Sequence, residues 1–207
     1  MTNEATVFLI DDDEMLRQHM VLLVEEAGYS VRSFPSAEDF LLVCSSDLRG
    51  CVVSDIRMKG MSGIALQAKM VEKEVTLPFI LISAYADVKM AVEAMRKGAY
   101  DFLEKPLKDM EFLDKVAAAM AQDRTVAAQE TEALATRTKL NNLTGREREV
   151  LDCLLQGMAN KVIAMELGIA ERTVEYHRAR VMNKMSAESL AELVRMTVSV
   201  DRHGQSG

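Results

Sequence analysis

Over the first 120 residues, short apolar runs alternate with segments in which apolar residues recur at helical spacing. The runs predict strands at 6–10, 31–34, 51–55, 79–83 and 100–104. The helical spacing predicts helices at 15–27, 36–44, 64–73, 88–97 and 110–120. Strands that are apolar throughout and separated by helices are typical of a parallel sheet covered on both faces. We therefore predict a five-stranded, doubly wound α/β domain over residues 1–121.

The remaining chain shows helical patterns and no strand pattern. Residues 122–139 contain no Gly or Pro and are rich in Gln, Ala, Thr and Glu, which predicts a linker with a helical tendency, or else a continuation of the preceding helix. Thr144 and Glu147 have capping-box spacing and open a helix to about residue 156. Further helices are predicted at 160–167, 171–184 and from 186 or 187 to 200. Short helices joined at Gly168 are typical of a helix-turn-helix, so residues 140–207 form a small all-α domain.

Charge separates the two halves of the 207-residue chain, whose formal net charge is -7. Residues 1–121 hold 13 Lys and Arg against 20 Asp and Glu, whereas residues 140–207 hold 9 of each. This asymmetry predicts modules with different partners. No apolar run reaches the roughly 18 residues of a spanning helix, and no secretory signal is visible. Three cysteines without metal-binding spacing fit a reducing compartment, so we expect a cytoplasmic protein.

Four of the five predicted strands end in a polar residue or are directly followed by one, at the edge where open α/β sheets carry their functional groups. They are Asp11 and Asp12, Asp55, Ser83 and Lys105. Three converging carboxylates repel one another, so we expect a hard divalent cation, Mg²⁺, to neutralise them and to attract a phosphoryl group. Asp55 is then the nucleophile of an acyl-phosphate chemistry, with Ser83 and Lys105 holding phosphoryl oxygens.

Each of these residues also has a purely structural interpretation. Residues 11–13 could serve only as an acidic helix N-terminus, and Asp55, Ser83 or Lys105 taken singly are ordinary strand-end residues. Their occurrence together at the ends of strands in one sheet favours a site.

Residues 5–120 resemble the receiver domain of bacterial two-component response regulators. The matching segments are Leu9-Ile10-Asp11-Asp12-Asp13, Ser54-Asp55-Ile56-Arg57-Met58, Met61-Ser62-Gly63, Ile82-Ser83-Ala84, Lys97-Gly98-Ala99 and Phe102-Leu103-Glu104-Lys105-Pro106. The resemblance implies that a sensor histidine kinase phosphorylates Asp55. It implies Mg²⁺ ligands at Asp12, Asp55 and the Arg57 backbone carbonyl, with Asp11 acting through water.

The same resemblance implies switch residues at Ser83 and Phe102 and a cis Lys105–Pro106 bond. Lys59 departs from the pattern, because the family usually has proline there, and the loop after Asp55 is expected to be less rigid.

The helical half resembles the LuxR-type helix-turn-helix, and the whole chain resembles regulators of the FixJ type. The segments that carry this are 143–151, 160–164, Arg172-Thr173-Val174-Glu175 and 181–185. A helix in the major groove presents its N-terminal residues to base edges and flanks them with phosphate contacts. The candidate DNA contacts are Lys161, Arg172, Thr173, Glu175, Tyr176, Arg178, Arg180 and Lys184. Val181 and His177 fit a core-facing stripe, and a solvated surface is the alternative for Lys161 and Lys184.

We therefore predict a phosphorylation-activated transcription regulator that dimerises when phosphorylated and binds promoter DNA, with RNA polymerase as a further partner. It is not expected to be an enzyme beyond its own phosphotransfer and dephosphorylation. One alternative is a haloacid-dehalogenase-type phosphatase, but such enzymes normally need a second acid where this chain has Arg57. The other is a module whose C-terminal helices dock a protein without reading DNA.

Overall fold

The computed structural model describes the backbone of residues 4–84 and 88–204 and the side chains of 4–84 and 91–198. The strands are β1 (Thr6–Ile10), β2 (Ser30–Phe34), β3 (Gly50–Asp55), β4 (Phe79–Ser83) and β5 (Asp101–Glu104). The helices are α1 (Glu14–Glu26), α2 (Ala37–Leu41), α3 (Gly63–Glu72), α4 (Val88–Arg96), α5 (Asp109–Asn141), α6 (Gly145–Leu155), α7 (Asn160–Leu167), α8 (Glu171–Met185) and α9 (Leu190–Gly204). Contacts divide the chain into two compact units, Met1–Val126 and Ala127–Gly207.

The first unit is a parallel five-stranded sheet in the order β2-β1-β3-β4-β5. This confirms the predicted doubly wound α/β fold. The chain moves outward from β1 in one direction to β2 and in the other from β3 to β5. The strand order therefore reverses between β1 and β3, which opens a crevice beyond the carboxyl ends of these two strands.

Alternate residues of each strand face opposite layers of helices. On one face, Phe8 and Ile10 pack with residues of α2, α3 and α4, including Phe40 and Leu66. On the other face, Val7 and Leu9 pack with α1 and α5. Both faces of the central strands are thus covered by helices and excluded from water. Their sequences are therefore apolar at successive positions rather than at every second position.

Helix α2 is shorter than predicted, since it ends at Leu41 rather than near Cys44. Ser36 does cap it, with its side chain accepting from the Asp39 N–H. Helix α5 is much longer than the predicted 110–120, since its 33 residues continue to Asn141. The segment 122–139 therefore continues the preceding helix, which was the alternative to a separate linker.

Asp123 lies in that segment but is fixed to the base of the sheet. Its side chain is buried, and its Oδ2 accepts from the Gly50 N–H at 3.0 Å. Arg49 Nη1 lies 3.7 Å from Asp123 Oδ1. The first unit thus includes the part of α5 that runs from Asp109 to Val126. Within the described ranges, neither α5 nor any other helix is long and apolar enough to cross a membrane.

The second unit contains α6 to α9 around a core that includes Val150, Leu154, Val174 and Val181. The Thr144–Glu147 capping box is present at the start of α6. Ser186 adopts a left-handed conformation (φ 55°) that ends α8. Helix α9 begins at Leu190, later than predicted, and the Ser189 side chain just before it accepts from the Glu192 N–H at 3.1 Å. The predicted limit of this last helix at 200 is also short, since its backbone continues to Gly204.

Candidate functional site

The β1/β3 crevice gathers the acidic residues predicted to form a site. Asp11 and Asp12 directly follow β1, and Asp55 is the last residue of β3. One carboxylate oxygen from each of the three lies within 4.8 Å of the others. We call Asp11, Asp12, Asp55 and Lys105 the acidic pocket. Helix α3 starts close to it, because a Cβ on Gly63 would lie only 2.4 Å from the Asp55 carbonyl oxygen.

Lys105 joins two of the three carboxylates. Its Nζ lies 2.9 Å from Asp11 Oδ2 and 2.7 Å from Asp55 Oδ2. Asp11 is fully buried and Asp55 is 7% exposed, so solvent screens these ion pairs weakly. Backbone amides add one donor each, from Asp13 N–H to Asp11 Oδ1 at 2.8 Å and from Arg57 N–H to Asp55 Oδ1 at 3.2 Å. A single ammonium group therefore faces two carboxylates, and Asp12 beside them is a third.

The protonation equilibria reflect this crowding. Burial raises the pKa of Asp11, and the hydrogen bond from Lys105 offsets only part of that effect. Burial by itself would lower the pKa of Lys105, but hydrogen bonds to Asp55 and Asp11 outweigh it and raise that pKa above its ordinary value. Lys105 is accordingly cationic at neutral pH.

Asp12 is the least buried of the three acids and is bound by the loop that follows β3. The Lys59 N–H donates to Asp12 Oδ2 at 3.2 Å. Two residues later, the Met61 N–H donates to Glu38 Oε1 on α2 at 2.9 Å. The loop at 57–61 is thus attached to two carboxylates.

The two predicted switch residues, Ser83 and Phe102, lie on β4 and β5. Ser83 ends β4 and is fully buried, and its carbonyl accepts from the Lys105 N–H at 2.7 Å. The Lys105–Pro106 peptide bond is cis, as the resemblance implied. Phe102 on β5 is half-buried against the core layer of α2, α3 and α4.

The residues of the pocket fit a hard divalent cation. Mg²⁺ takes oxygen ligands, and three carboxylates at this spacing supply them with excess negative charge. Arg57, whose carbonyl is a further ligand in the resemblance, lies two residues after Asp55 at the start of the loop.

In the second unit, α7 and α8 form the predicted helix-turn-helix, with Gly168 in the left-handed conformation (φ 63°) ending α7. Arg172, Glu175 and Tyr176 are exposed on the first turns of α8, and Thr173 is half-buried. Lys161 is exposed on α7. These five side chains thus lie wholly or partly at the surface of the second unit.

The remaining three candidates have partners inside the unit. Arg178 Nη1 donates to Asn160 Oδ1 at 3.0 Å. Arg180 Nε lies 3.0 Å from Glu147 Oε1, and Lys184 Nζ lies 2.6 Å from Glu147 Oε2. Each of these cations therefore fixes α8 to the preceding helices.

Glu147 is the centre of that arrangement. It is 2% exposed and also accepts from the Thr144 N–H at 2.8 Å. Hydrogen bonding, chiefly from Lys184, lowers the pKa of Glu147 to about 2. Arg180 in turn lies over the Tyr176 ring, 5.8 Å from its centroid. A chain of contacts thus runs from α6 to an exposed aromatic residue of α8.

Sequence reasoning identified Glu147 only as a capping residue and missed its ion pairs, as well as Asp123, Glu38 and the Lys59 amide. The capping box was visible because its two residues are three apart. The ion pairs join positions 33 and 37 residues apart, and no local pattern indicates them. His177, predicted to face the core, is half-buried, and its buried Nδ1 has no hydrogen-bond partner among the described residues.

A doubly wound sheet with an acidic pocket, followed by a helix-turn-helix, defines a receiver joined to a DNA-binding domain. Residues 7–117 match the family "Response regulator receiver domain", and residues 141–197 match "Bacterial regulatory proteins, luxR family". The chain belongs to the response regulators that carry a LuxR-type DNA-binding domain.

Similar proteins cover nearly the whole chain. The transcriptional regulatory protein TdiR of Thauera aromatica is 39% identical over 97% of this chain and 88% of its own length. The transcriptional regulatory protein FixJ of Bradyrhizobium diazoefficiens is 40% identical over 96% of this chain and 97% of its own. Among solved structures, the response regulator StyR matches with a TM-score of 0.81 and 38% identity, covering 94% of this chain and 98% of that one. Full-length FixJ from B. japonicum matches with a TM-score of 0.58 and 39% identity, covering 97% of this chain and 99% of that one. Family and relatives assign the chain to transcription regulators rather than to phosphatases.

Proposed function

We propose that the protein is a transcription regulator whose DNA binding is controlled by a phosphoryl group on Asp55, donated by a sensor histidine kinase. The observation that supports this most is Lys105 Nζ bridging Asp11 and Asp55 at the point where the strand order reverses. In this arrangement Asp55 is nearly buried yet lies beside a cation and two further acids.

In the phosphotransfer step, a carboxylate oxygen of Asp55 forms a bond to phosphorus while the phosphorus–nitrogen bond to the kinase histidine breaks. Asp12, Asp55 and the Arg57 carbonyl would hold Mg²⁺ directly, with Asp11 acting through water. When bound, Mg²⁺ supplies positive charge to the phosphoryl oxygens. Lys105 would contact one of these oxygens, and Ser83, at the end of the adjoining strand, would donate to another; the ion pair of Lys105 with Asp55 supports the first role.

Phosphorylation adds roughly -1.5 to -2 charge to the pocket, which draws Ser83 and Lys105 toward the new oxygens. Phe102 then packs into the space left by the loop of Ser83. These shifts alter the surface formed by α4, β5 and α5 and favour a homodimer. Two chains present two copies of α8, as a two-fold-related promoter site requires.

For DNA, the exposed residues Lys161, Arg172, Glu175 and Tyr176 on α7 and α8 are the primary contacts, with Thr173 beside them. Arg178, Arg180 and Lys184 contribute mainly by holding α8 in place, because their charges already meet partners in the unit. The bound regulator acts in the cytoplasm and contacts RNA polymerase at the promoter.

The phosphoacceptor is tested by Asp55→Asn in the full chain. With acetyl phosphate and Mg²⁺, we expect wild type to gain a phosphoryl group by intact mass spectrometry and to dimerise by analytical ultracentrifugation, and Asp55→Asn to do neither. Asp13→Asn is the matched control, because Asp13 only caps α1 and asparagine caps equally well. Phosphate-dependent dimerisation of Asp55→Asn would show that the assignment is wrong.

DNA contact is tested by selecting bound fragments of genomic DNA and then measuring affinity for them. We expect Arg172→Ala to weaken specific binding by about 1–3 kcal/mol, with a smaller effect on unrelated sequences. Lys69→Ala, which removes one exposed cation from the first unit, should leave the affinity unchanged. Equal affinity for selected and unrelated DNA would contradict sequence-specific recognition.

A further inference from the structure

The three acids of the pocket differ in the donors they accept from. Asp11 and Asp55 each accept from Lys105 and from one backbone amide. The donor described for Asp12 is a single backbone amide, that of Lys59, at 3.2 Å. Among the residues that the structure describes, Asp12 is therefore the acid that accepts the fewest hydrogen bonds, and the Lys59 N–H is its donor there.

This donor exists because residue 59 is not proline, since a proline has no N–H. The loop that supplies it is fixed independently at Met61, whose N–H donates to Glu38 at 2.9 Å. Release of the Lys59 amide from Asp12 would consequently leave the loop attached to α2.

We propose that the Lys59 backbone N–H competes with Mg²⁺ for Asp12, so that cation binding detaches the loop from Asp12 at Lys59 while Glu38 keeps it attached at Met61. A carboxylate oxygen that accepts an N–H has part of its charge satisfied already and holds a cation less strongly. The amide thus stabilises the cation-free pocket and lowers its affinity for Mg²⁺. This inference rests on the proposed Mg²⁺ site.

The test compares Lys59→Pro with Lys59→Ala in the full chain. Both substitutions remove the side-chain charge, but only proline removes the N–H. Calorimetric titration of the chelator-treated proteins with Mg²⁺ should give a dissociation constant for Lys59→Pro about three- to tenfold lower than for Lys59→Ala. Equal constants overturn the proposal. A higher constant for Lys59→Pro also overturns it, because the amide would then orient Asp12 as a metal ligand rather than compete for it.

A measurement on the wild-type protein keeps the proposal testable if the proline variant does not fold. Amide hydrogen exchange by NMR is compared with and without saturating Mg²⁺. We expect exchange at Lys59 to become at least about fivefold faster with Mg²⁺, as a lost weak hydrogen bond requires, while exchange at Met61 stays the same. Unchanged or slower exchange at Lys59 contradicts the competition.

These results separate the inference from the proposed function. If wild type binds no Mg²⁺, the metal site itself is wrong, and this inference is wrong with it. If wild type binds Mg²⁺ and is phosphorylated on Asp55 but the proline and alanine variants bind the cation equally, only the competition by the Lys59 amide is wrong.

Discussion

Both units of this protein bring carboxylates and cations together, but in opposite proportions. In the first unit, the carboxylates of Asp11, Asp12 and Asp55 lie close together, and Lys105 pairs with two of them, Asp11 and Asp55. In the second, the single carboxylate of Glu147 meets Arg180 and Lys184 and accepts from a backbone amide as well. One cluster carries excess negative charge and the other carries excess positive charge.

The difference separates a binding site from a structural anchor. Within the residues that the structure describes, the ammonium group of Lys105 pairs with two of the three carboxylates of the acidic pocket, so the pocket can accept further cationic charge from solution. The single negative charge of Glu147 faces two cations, Arg180 and Lys184, so this carboxylate does not attract a further cation. It instead holds α6 to α8. Removing charges from the two clusters should therefore have different consequences.

The largest effect is expected from Lys105→Met. It leaves buried Asp11 and Asp55 without their shared cation, which should lower the free energy of unfolding by about 3 kcal/mol in the absence of divalent cations. Urea titration followed by NMR amide signals of the first unit measures this. Lys115→Met is the control, because its pair with Asp101 is more exposed and should cost under about 1 kcal/mol. If both variants lost the same free energy of unfolding, burial of the acidic pocket would not strengthen the ion pairs of Lys105.

Glu147→Gln should lower the free energy of unfolding of the second unit by about 1.5–3 kcal/mol, since two charged hydrogen bonds lose their anion. The amide signals of residues 145–185 in a urea titration report this change. Glu149→Gln is matched in sequence and chemistry, but its pair with Arg146 is exposed, so an effect within about 0.5 kcal/mol is expected. If both substitutions cost the same, Glu147 is not an anchor.

The stabilisation by Glu147 should depend on pH. Its pKa is about 2 in the folded protein against an ordinary 4.5, so the folded state binds the proton less readily than the unfolded state. The contribution is complete above about 4.5 and is lost as the pH falls toward about 2. The stability difference between wild type and Glu147→Gln, measured from neutral pH downward, should shrink below that upper value. A constant difference across this window would refute the ion-pair explanation.

The smallest effect is expected from Asp12→Asn, which should stabilise the first unit rather than destabilise it. Asp12→Asn should raise the free energy of unfolding of the first unit by about 1 kcal/mol without divalent cations, because it relieves repulsion by Asp11 and Asp55. The asparagine oxygen can still accept from the Lys59 N–H. Urea titration in a chelating buffer measures the change, and the gain should vanish when Mg²⁺ is present at saturating concentration. If Asp12→Asn instead lowered the free energy of unfolding in the chelating buffer, Asp12 would stabilise the fold, as Glu147 does.

The amino-acid sequence by itself determined the fold class, because strand and helix periodicities and their glycine and cap signals are local. It also indicated the acidic pocket, since residues that follow the strands of a parallel sheet must lie at one edge. Residues 122–139 were predicted to be a linker with a helical tendency, but nothing local showed that Asp123 is buried against Gly50.

Only the tertiary structure decided which groups compensate each charge. Glu147 meets Arg180 and Lys184 across 33 and 37 residues, and Asp12 meets the Lys59 amide across 47. Such pairs depend on the packing of distant elements, which bring charges within hydrogen-bond distance without leaving a periodic signal. The sequence thus shows where charge accumulates, and the packing of the chain determines whether that charge is already satisfied or open to a ligand.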